Sequence, residues 1–214
     1  MTVTVLGATG ATGRHVVEQL LALGHPVRGA VRKPDKAAKP AAAGVEFAAL
    51  DLASPSRDRL MEVFDSTDVV INAAATRSMT KKQAELVDRQ GIVAAIDAAA
   101  SAGVKRWIQV SMMGSGDVSR LPRYLRATGH AKHAADLHLA ASGMTWTVIR
   151  PPWLTDGPAG GRITVGDQVP EGSLSRADLA AVVVAALDTA ATYDRIFEVT
   201  GGGRPIGDSL ATLA

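Results

Sequence analysis

Three glycines at equal spacing, Gly7, Gly10 and Gly13, stand in the stretch VLGATGATG directly after a short apolar run. A residue without Cβ lets backbone N–H groups approach an anion closely. The helical stretch RHVVEQLLAL that follows brings its own unpaired N–H groups and the positive end of its dipole. The spacing therefore predicts a pyrophosphate cradle made by Gly7, Gly10, Ala11 and Gly13, with Thr9 and Thr12 adding hydroxyl donors. The end of the second strand decides which dinucleotide enters it. A carboxylate there would hold the ribose hydroxyls of NAD, whereas cations pair with the extra phosphate of NADP. Arg32 and Lys33 stand at that tip, and Pro34 turns the chain before Asp35 is reached. The expectation is NADP(H) in preference to NAD(H). Asp51 and Leu52, after the third strand, fall beside the adenine. Ala73, Ala74, Ala75 and Thr76 of NAAAT run under the cofactor, although both stretches also suit plain strand ends.

Other chemistry is sparsely signalled. His130 and His133 lie three apart on one helical face, but no carboxylate motif accompanies them and no metal is expected. Met112, with Met113 and Gly114, is adaptable apolar surface fit to line a pocket or to fill the core.

The elements that must position these residues follow from a repeated pattern. An Ala/Leu/Val-rich helical stretch closes on glycine and a β-branched run follows, as in EQLLALGHPVRGAV, AIDAAASAGVKRWIQV and HLAASGMTWTVI. Gly24, Gly103 and Gly143 fall where such helices need a left-handed cap. Three junctions of one kind imply βαβ units and a parallel sheet covered on both faces. Strands are expected at 2–6, 26–31, 45–49, 68–72, 106–110, 146–149 and 196–199. Ser54-Pro55 reads as one helix start, and Ser175 with Asp178 three residues on reads as a capping box for another. The fold class is α/β, a Rossmann-like doubly wound parallel sheet in one domain over 1–214. Residues 151–174, with five glycines and four prolines, are expected to be an irregular substrate-side loop region.

Composition sets the outer bounds. With 214 residues, 47% of them apolar, the chain can bury a real core. Lys and Arg number 23 against 21 Asp and Glu, so there is no electrostatic case for nucleic acid. The absence of cysteine excludes disulfides and thiolate metal sites and permits a reducing compartment. No long apolar segment signals a membrane span or a secretion signal, so a cytoplasmic protein is expected. The sequence leaves the oligomeric state open.

Taken together, GATGATG, VRKP, LDL, NAAAT, VSMMG, SGMTWTVIRPPWLTD and LSRADLAAVVVAAL resemble the atypical short-chain dehydrogenase/reductases over nearly the whole chain. The likeness is greatest to NmrA-like members, a set that includes NADPH-dependent flavin reductases. The resemblance implies the Rossmann fold and a nicotinamide cofactor, with Pro151 placed against it. It also implies Ser111 as the catalytic serine and Lys132 as the lysine of a Tyr-x-x-x-Lys pair. Thr128 stands where that pattern has its tyrosine, and an aliphatic hydroxyl is too weakly acidic to replace a phenol as proton donor. Lys132 then either holds the nicotinamide ribose or only solvates its helix. Arg77 and Trp153 match substrate-pocket positions, the indole fit to stack on a flat acceptor. The implied activity is hydride transfer from NADPH to a flavin, quinone or similar conjugated small molecule. The alternative is an NADP-binding redox sensor without turnover.

Overall fold

The computed structural model describes residues 1–34, 44–76, 78 and 80–213. In chain order the elements are β1 (Val3–Leu6), α1 (Gly13–Ala22), β2 (Val27–Val31), β3 (Val45–Ala49), α2 (Arg57–Phe64) and β4 (Val69–Asn72). There follow α3 (Lys81–Gln83), a π-helical stretch (Ala84–Gly91), α4 (Ile92–Ser101), β5 (Arg106–Val110), α5 (Arg126–Ala140) and β6 (Thr145–Arg150). The chain closes with β7 (Trp153–Thr155), β8 (Arg162–Gly166), β9 (Ser173–Ser175), α6 (Arg176–Ala185), β10 (Arg195–Gly201), β11 (Arg204–Pro205) and α7 (Ile206–Ala211).

One sheet takes nine of these strands in the order β11-β8-β10-β6-β5-β4-β1-β2-β3. The seven strands expected from the sequence are all present and mutually parallel, their ends moved by no more than two residues. The strand order reverses between β1 and β4, which opens a crevice at the carboxyl ends of the strands, where doubly wound sheets bind ligands. Both faces are buried, as the apolar strands require. Val16 and Leu20 of α1 and Leu179 and Val183 of α6 pack one face, with Val3 and Val5 of β1 beneath them. Leu60 and Phe64 of α2, Ile92 and Ile96 of α4 and Leu139 of α5 pack the other around Leu6 and Trp107. The three junction glycines have the left-handed backbone expected, with φ of 78°, 81° and 79°.

Two expectations need correction. Helix α2 is capped by Ser56, whose Oγ accepts from the Arg59 N–H at 3.3 Å, and not by Ser54. A turn closed by Ser54 N–H on the Asp51 carbonyl uses the earlier serine. Residues 151–174 are more regular than their glycines and prolines suggest. They contain β7, β8 and the start of β9; Ile163, Thr164 and Val165 of β8 run antiparallel to β10, while β7 and β9 form a separate parallel pair. The capping box is half formed. Ser175 Oγ accepts from the Asp178 N–H at 2.9 Å, and the buried Asp178 carboxylate accepts from the Ser175 hydroxyl at 2.8 Å and from Gly160 and Gly161 N–H at 2.9 and 2.8 Å. Among the described residues, no helix is long and apolar enough to cross a membrane.

Candidate functional site

The glycine turn sits at the carboxyl end of β1. Gly7 has φ +76°, and a Cβ there would come within 2.8 Å of the Ala74 Cα, so the turn and the NAAAT segment pack backbone to backbone. A Cβ on Gly13 would run into the Gly7 carbonyl oxygen and its carbon. Both glycines are thus demanded by packing as well as by any phosphate. Gly10 N–H is spent on the Gly7 carbonyl at 2.8 Å. Helix α1 begins without a side-chain cap. Among the described residues, the N–H groups of Ala11, Thr12 and Gly13 have no backbone acceptor. These are open donors at a helix N-terminus, where an anion can be held. Thr12 is buried, whereas Thr9 and Ala11 are exposed.

Thr9 shares a cavity of about 430 Å³ with Arg32, Lys33 and Asp51. Four residues from three parts of the sequence are thereby brought together beside the cradle. Asp51 Oδ1 accepts from Ala53 N–H at 3.0 Å, and Leu52 is buried under the rim. Below the cradle, Asn72 is buried, donates to Gln109 Oε1 at 3.0 Å and accepts from Ala74 N–H at 3.0 Å, which fixes the course of Ala73 to Thr76. Asp35 and Arg77 lie outside the described residues.

The carboxyl ends of β5 and β6 meet α5 in a buried polar cluster. Ser111 N–H bonds to the Ile149 carbonyl at 2.8 Å, setting the serine immediately after β5. Its hydroxyl donates to Asp136 Oδ2 at 2.8 Å. Arg150, the last residue of β6, meets the same oxygen through Nη2 at 2.9 Å and Nε at 3.3 Å. It also reaches His133 Nδ1 at 3.1 Å. A guanidinium only donates, so Nδ1 is the acceptor in that contact.

Lys132 is 6% exposed, so it does not solvate its helix; its Nζ lies 3.3 Å from Asp88 Oδ1. Asp88 comes from the π-helical stretch, where the wider turn pushes a side chain toward α5. Neither of its oxygens has a well-formed hydrogen bond among the described residues, so the pair is an ion contact rather than a closed bridge. Lys132 consequently keeps donors for a group placed above it. Thr128 is half-buried one turn before Lys132, and Tyr124 is 54% exposed, away from this cluster.

Beside the cluster opens a cavity of about 440 Å³, within the range of small-molecule sites. Met112, Met113, Leu121, Pro151, Pro152 and Trp153 make its apolar walls, with Arg120 and Glu171 as its charges. The indole of Trp153 is 63% exposed. Met113 N–H on the Pro151 carbonyl, at 2.9 Å, ties the two sides together. Buried Glu198 of β10 fastens the remaining wall: it accepts from Gly114 N–H, Val169 N–H and Arg120.

Sequence reasoning missed Asp88, Asp136, Arg150 and Glu198. Asp136 could have been found from its place one turn after Lys132. The other three carry no local signal, because their partners are 44, 14 and 29 to 84 positions away. His130 is exposed and His133 faces Arg150; among the described residues no group of three or more His, Asp or Glu could hold a metal ion.

Known proteins of this shape are readily matched. A protein of Bacillus subtilis described as an uncharacterized sugar epimerase, YhfK, is 34% identical over the whole of both chains. The crystal structure of the oxidoreductase ylbE from Lactococcus lactis superposes with a TM-score of 0.90 at 24% identity, over 100% of this chain and 96% of that one. ChuY, an anaerobillin reductase from Escherichia coli O157:H7, gives 0.78 at 25% identity over 94% and 97%. The model of an NAD(P)H-binding family matches residues 7–190, and the chain belongs to that family.

Proposed function

We propose that this member of the NAD(P)H-binding family uses NADPH to reduce a flat conjugated small molecule, a flavin, a quinone or a similar acceptor. The observation that carries the reading is the cavity lined by Met112 and Pro151, the residues that follow Ser111 and Arg150 in the chain. Its walls are methionines, prolines and a largely exposed indole, surfaces that grip a planar ring by stacking and dispersion rather than by hydrogen bonds. An exposed tryptophan over such a cleft gains most when a ring covers it.

The cofactor residues fit a dinucleotide. The open N–H groups of Ala11, Thr12 and Gly13 would hold its pyrophosphate. Arg32 and Lys33 would pair with a 2′-phosphate in the cavity they share with Thr9. Lys132, half-satisfied by Asp88, would donate to the nicotinamide ribose. When bound, the cofactor supplies the reducing equivalent. The chain's own part is to hold the acceptor over Ser111, to exclude water with Met112 and Pro151, and to stack it on Trp153.

One observation favours a second reading, an NADP-binding redox sensor without turnover: Thr128 replaces the tyrosine acid, and Ser111 already spends its proton on Asp136. NADPH consumption with FMN, FAD, dichlorophenolindophenol and simple quinones separates the two. The reductase reading expects turnover with at least one, and a rise of several-fold to about tenfold in acceptor KM for Trp153→Ala with NADPH affinity unchanged. Tight NADPH binding by calorimetry with no turnover on any acceptor would overturn it in favour of the sensor.

A further inference from the structure

Asp136 is a buried acid for which the pocket chemistry above has no use. It has no exposed surface, and every donor that reaches it, Ser111 Oγ at 2.8 Å and Arg150 Nη2 and Nε at 2.9 and 3.3 Å, meets Oδ2. Oδ1 is buried with no hydrogen-bond partner among the described residues. An ionised carboxylate spreads its charge over both oxygens, so an unsolvated Oδ1 penalises that form; the neutral acid avoids the penalty. Burial pushes the carboxyl up from its ordinary 3.8, opposed by Arg150, the Ser111 hydrogen bond and Lys132.

Resting on the reductase reading, we propose that Asp136 and Ser111 form a proton relay in place of the absent tyrosine. Asp136 stores the proton and Ser111 Oγ delivers it to the acceptor oxygen. The acceptor gains two electrons and one hydrogen from NADPH, which becomes NADP⁺. Its oxygen bonds to the Ser111 proton as that O–H breaks. In the same event Ser111 Oγ takes the Asp136 proton along the 2.8 Å contact, so no serine alkoxide forms and the acid donated is in effect that of Asp136. Asp136 is left as a carboxylate against Arg150, and a solvent proton restores the acid once product has left. The polar groups around Asp136 are Ser111 from the end of β5, with Ser115 Oγ 3.5 Å beyond it, and Arg150 from β6. Lys132 lies on α5 itself, with His133 reached through Arg150 and Asp88 through Lys132.

The test compares the parent chain with Asp136→Asn and Ser111→Ala by kinetics, and by infrared titration of the protein alone. The relay predicts a fall in kcat of about 100-fold in each variant with NADPH affinity unchanged. It predicts a parent rate that drops as pH rises through the Asp136 titration, and the loss of that limb in Asp136→Asn. It also predicts a solvent deuterium effect on kcat that Ser111→Ala abolishes. In the cofactor-free protein, the carbonyl band of a protonated carboxylic acid should vanish in Asp136→Asn. If that variant does not fold, Ser111→Ala carries the kinetic arm and the pH titration of the parent band carries the other. A parent protein without the band, or an Asp136→Asn chain with the parental pH profile, overturns the relay. A parent that consumes no NADPH with any acceptor overturns the reductase reading, and the band then still reports separately whether Asp136 holds a proton.

Discussion

At the glycine turn, the groups that face the crevice are backbone N–H donors of Ala11, Thr12 and Gly13 and the exposed side chains of Thr9, Arg32, Lys33 and Asp51. At the ends of β5 and β6 the material is the reverse. Ser111, Lys132, Asp88 and Asp136 are all buried, and each is held by another member of the cluster. A backbone site needs only a local turn, and its charges stay in water until a ligand arrives. A side-chain site in a dry interior must have its charges paired before any ligand arrives, and the pairing fixes their positions. The two ends should therefore fail differently when altered: the buried end through loss of stability, the exposed end through loss of affinity.

The largest effect is expected where a buried charge loses its partner. Asp88→Asn leaves the Lys132 ammonium buried without a counter-ion, at a cost of about 3–5 kcal/mol in urea unfolding. Adding Lys132→Met should recover much of that loss, since removing both charges leaves neither uncompensated. If Asp88→Asn unfolds at the parental urea concentration, the claim that paired charges hold this end is wrong. Gly13→Ala comes next. Its methyl would overlap the Gly7 carbonyl, so the turn must shift away from α1, costing about 1–3 kcal/mol. The shifted turn also displaces the open N–H groups, so NADPH affinity should fall with stability. A Gly13→Ala chain that keeps parental affinity would show that the cradle tolerates displacement.

The same contrast explains what the sequence made legible. The glycine turn lies within seven residues, directly after a strand and before a helix, so its place in the fold is legible from local spacing. The parallel sheet followed from repeated helix–glycine–strand junctions, which are also local. The buried cluster could be read only in part. Ser111 and Lys132 were identified by resemblance to a family pattern, but Asp88 reaches Lys132 through a π-helical turn that no hydrophobic period announces. Arg150 reads in sequence as the polar end of a strand, and Glu198 as an ordinary charge in β10; burial and partners are set by the sheet order β10-β6-β5. Residues 151–174 misled for a related reason: their glycines and prolines signal turns, while the partner strand that makes β8 regular comes more than 30 positions later.

The smallest effect is expected at the exposed end, and it discriminates cofactors rather than folds. Arg32→Ala removes one of two cations from the cavity beside Thr9. NADPH should bind about tenfold more weakly, roughly 1.4 kcal/mol, with NADH affinity unchanged, because only the former carries the extra phosphate. Since both cations are exposed, added salt should weaken NADPH binding to the parent more than to the variant, which has lost one of the two charges. Asp51 lines the same cavity and opposes a phosphate, so Asp51→Asn should shift the preference slightly the other way. Calorimetric titration of both nucleotides at two ionic strengths checks all three. Equal loss of NADH and NADPH affinity in Arg32→Ala would place the guanidinium on a part the two cofactors share, and the assignment of this cavity to the 2′-phosphate would fall.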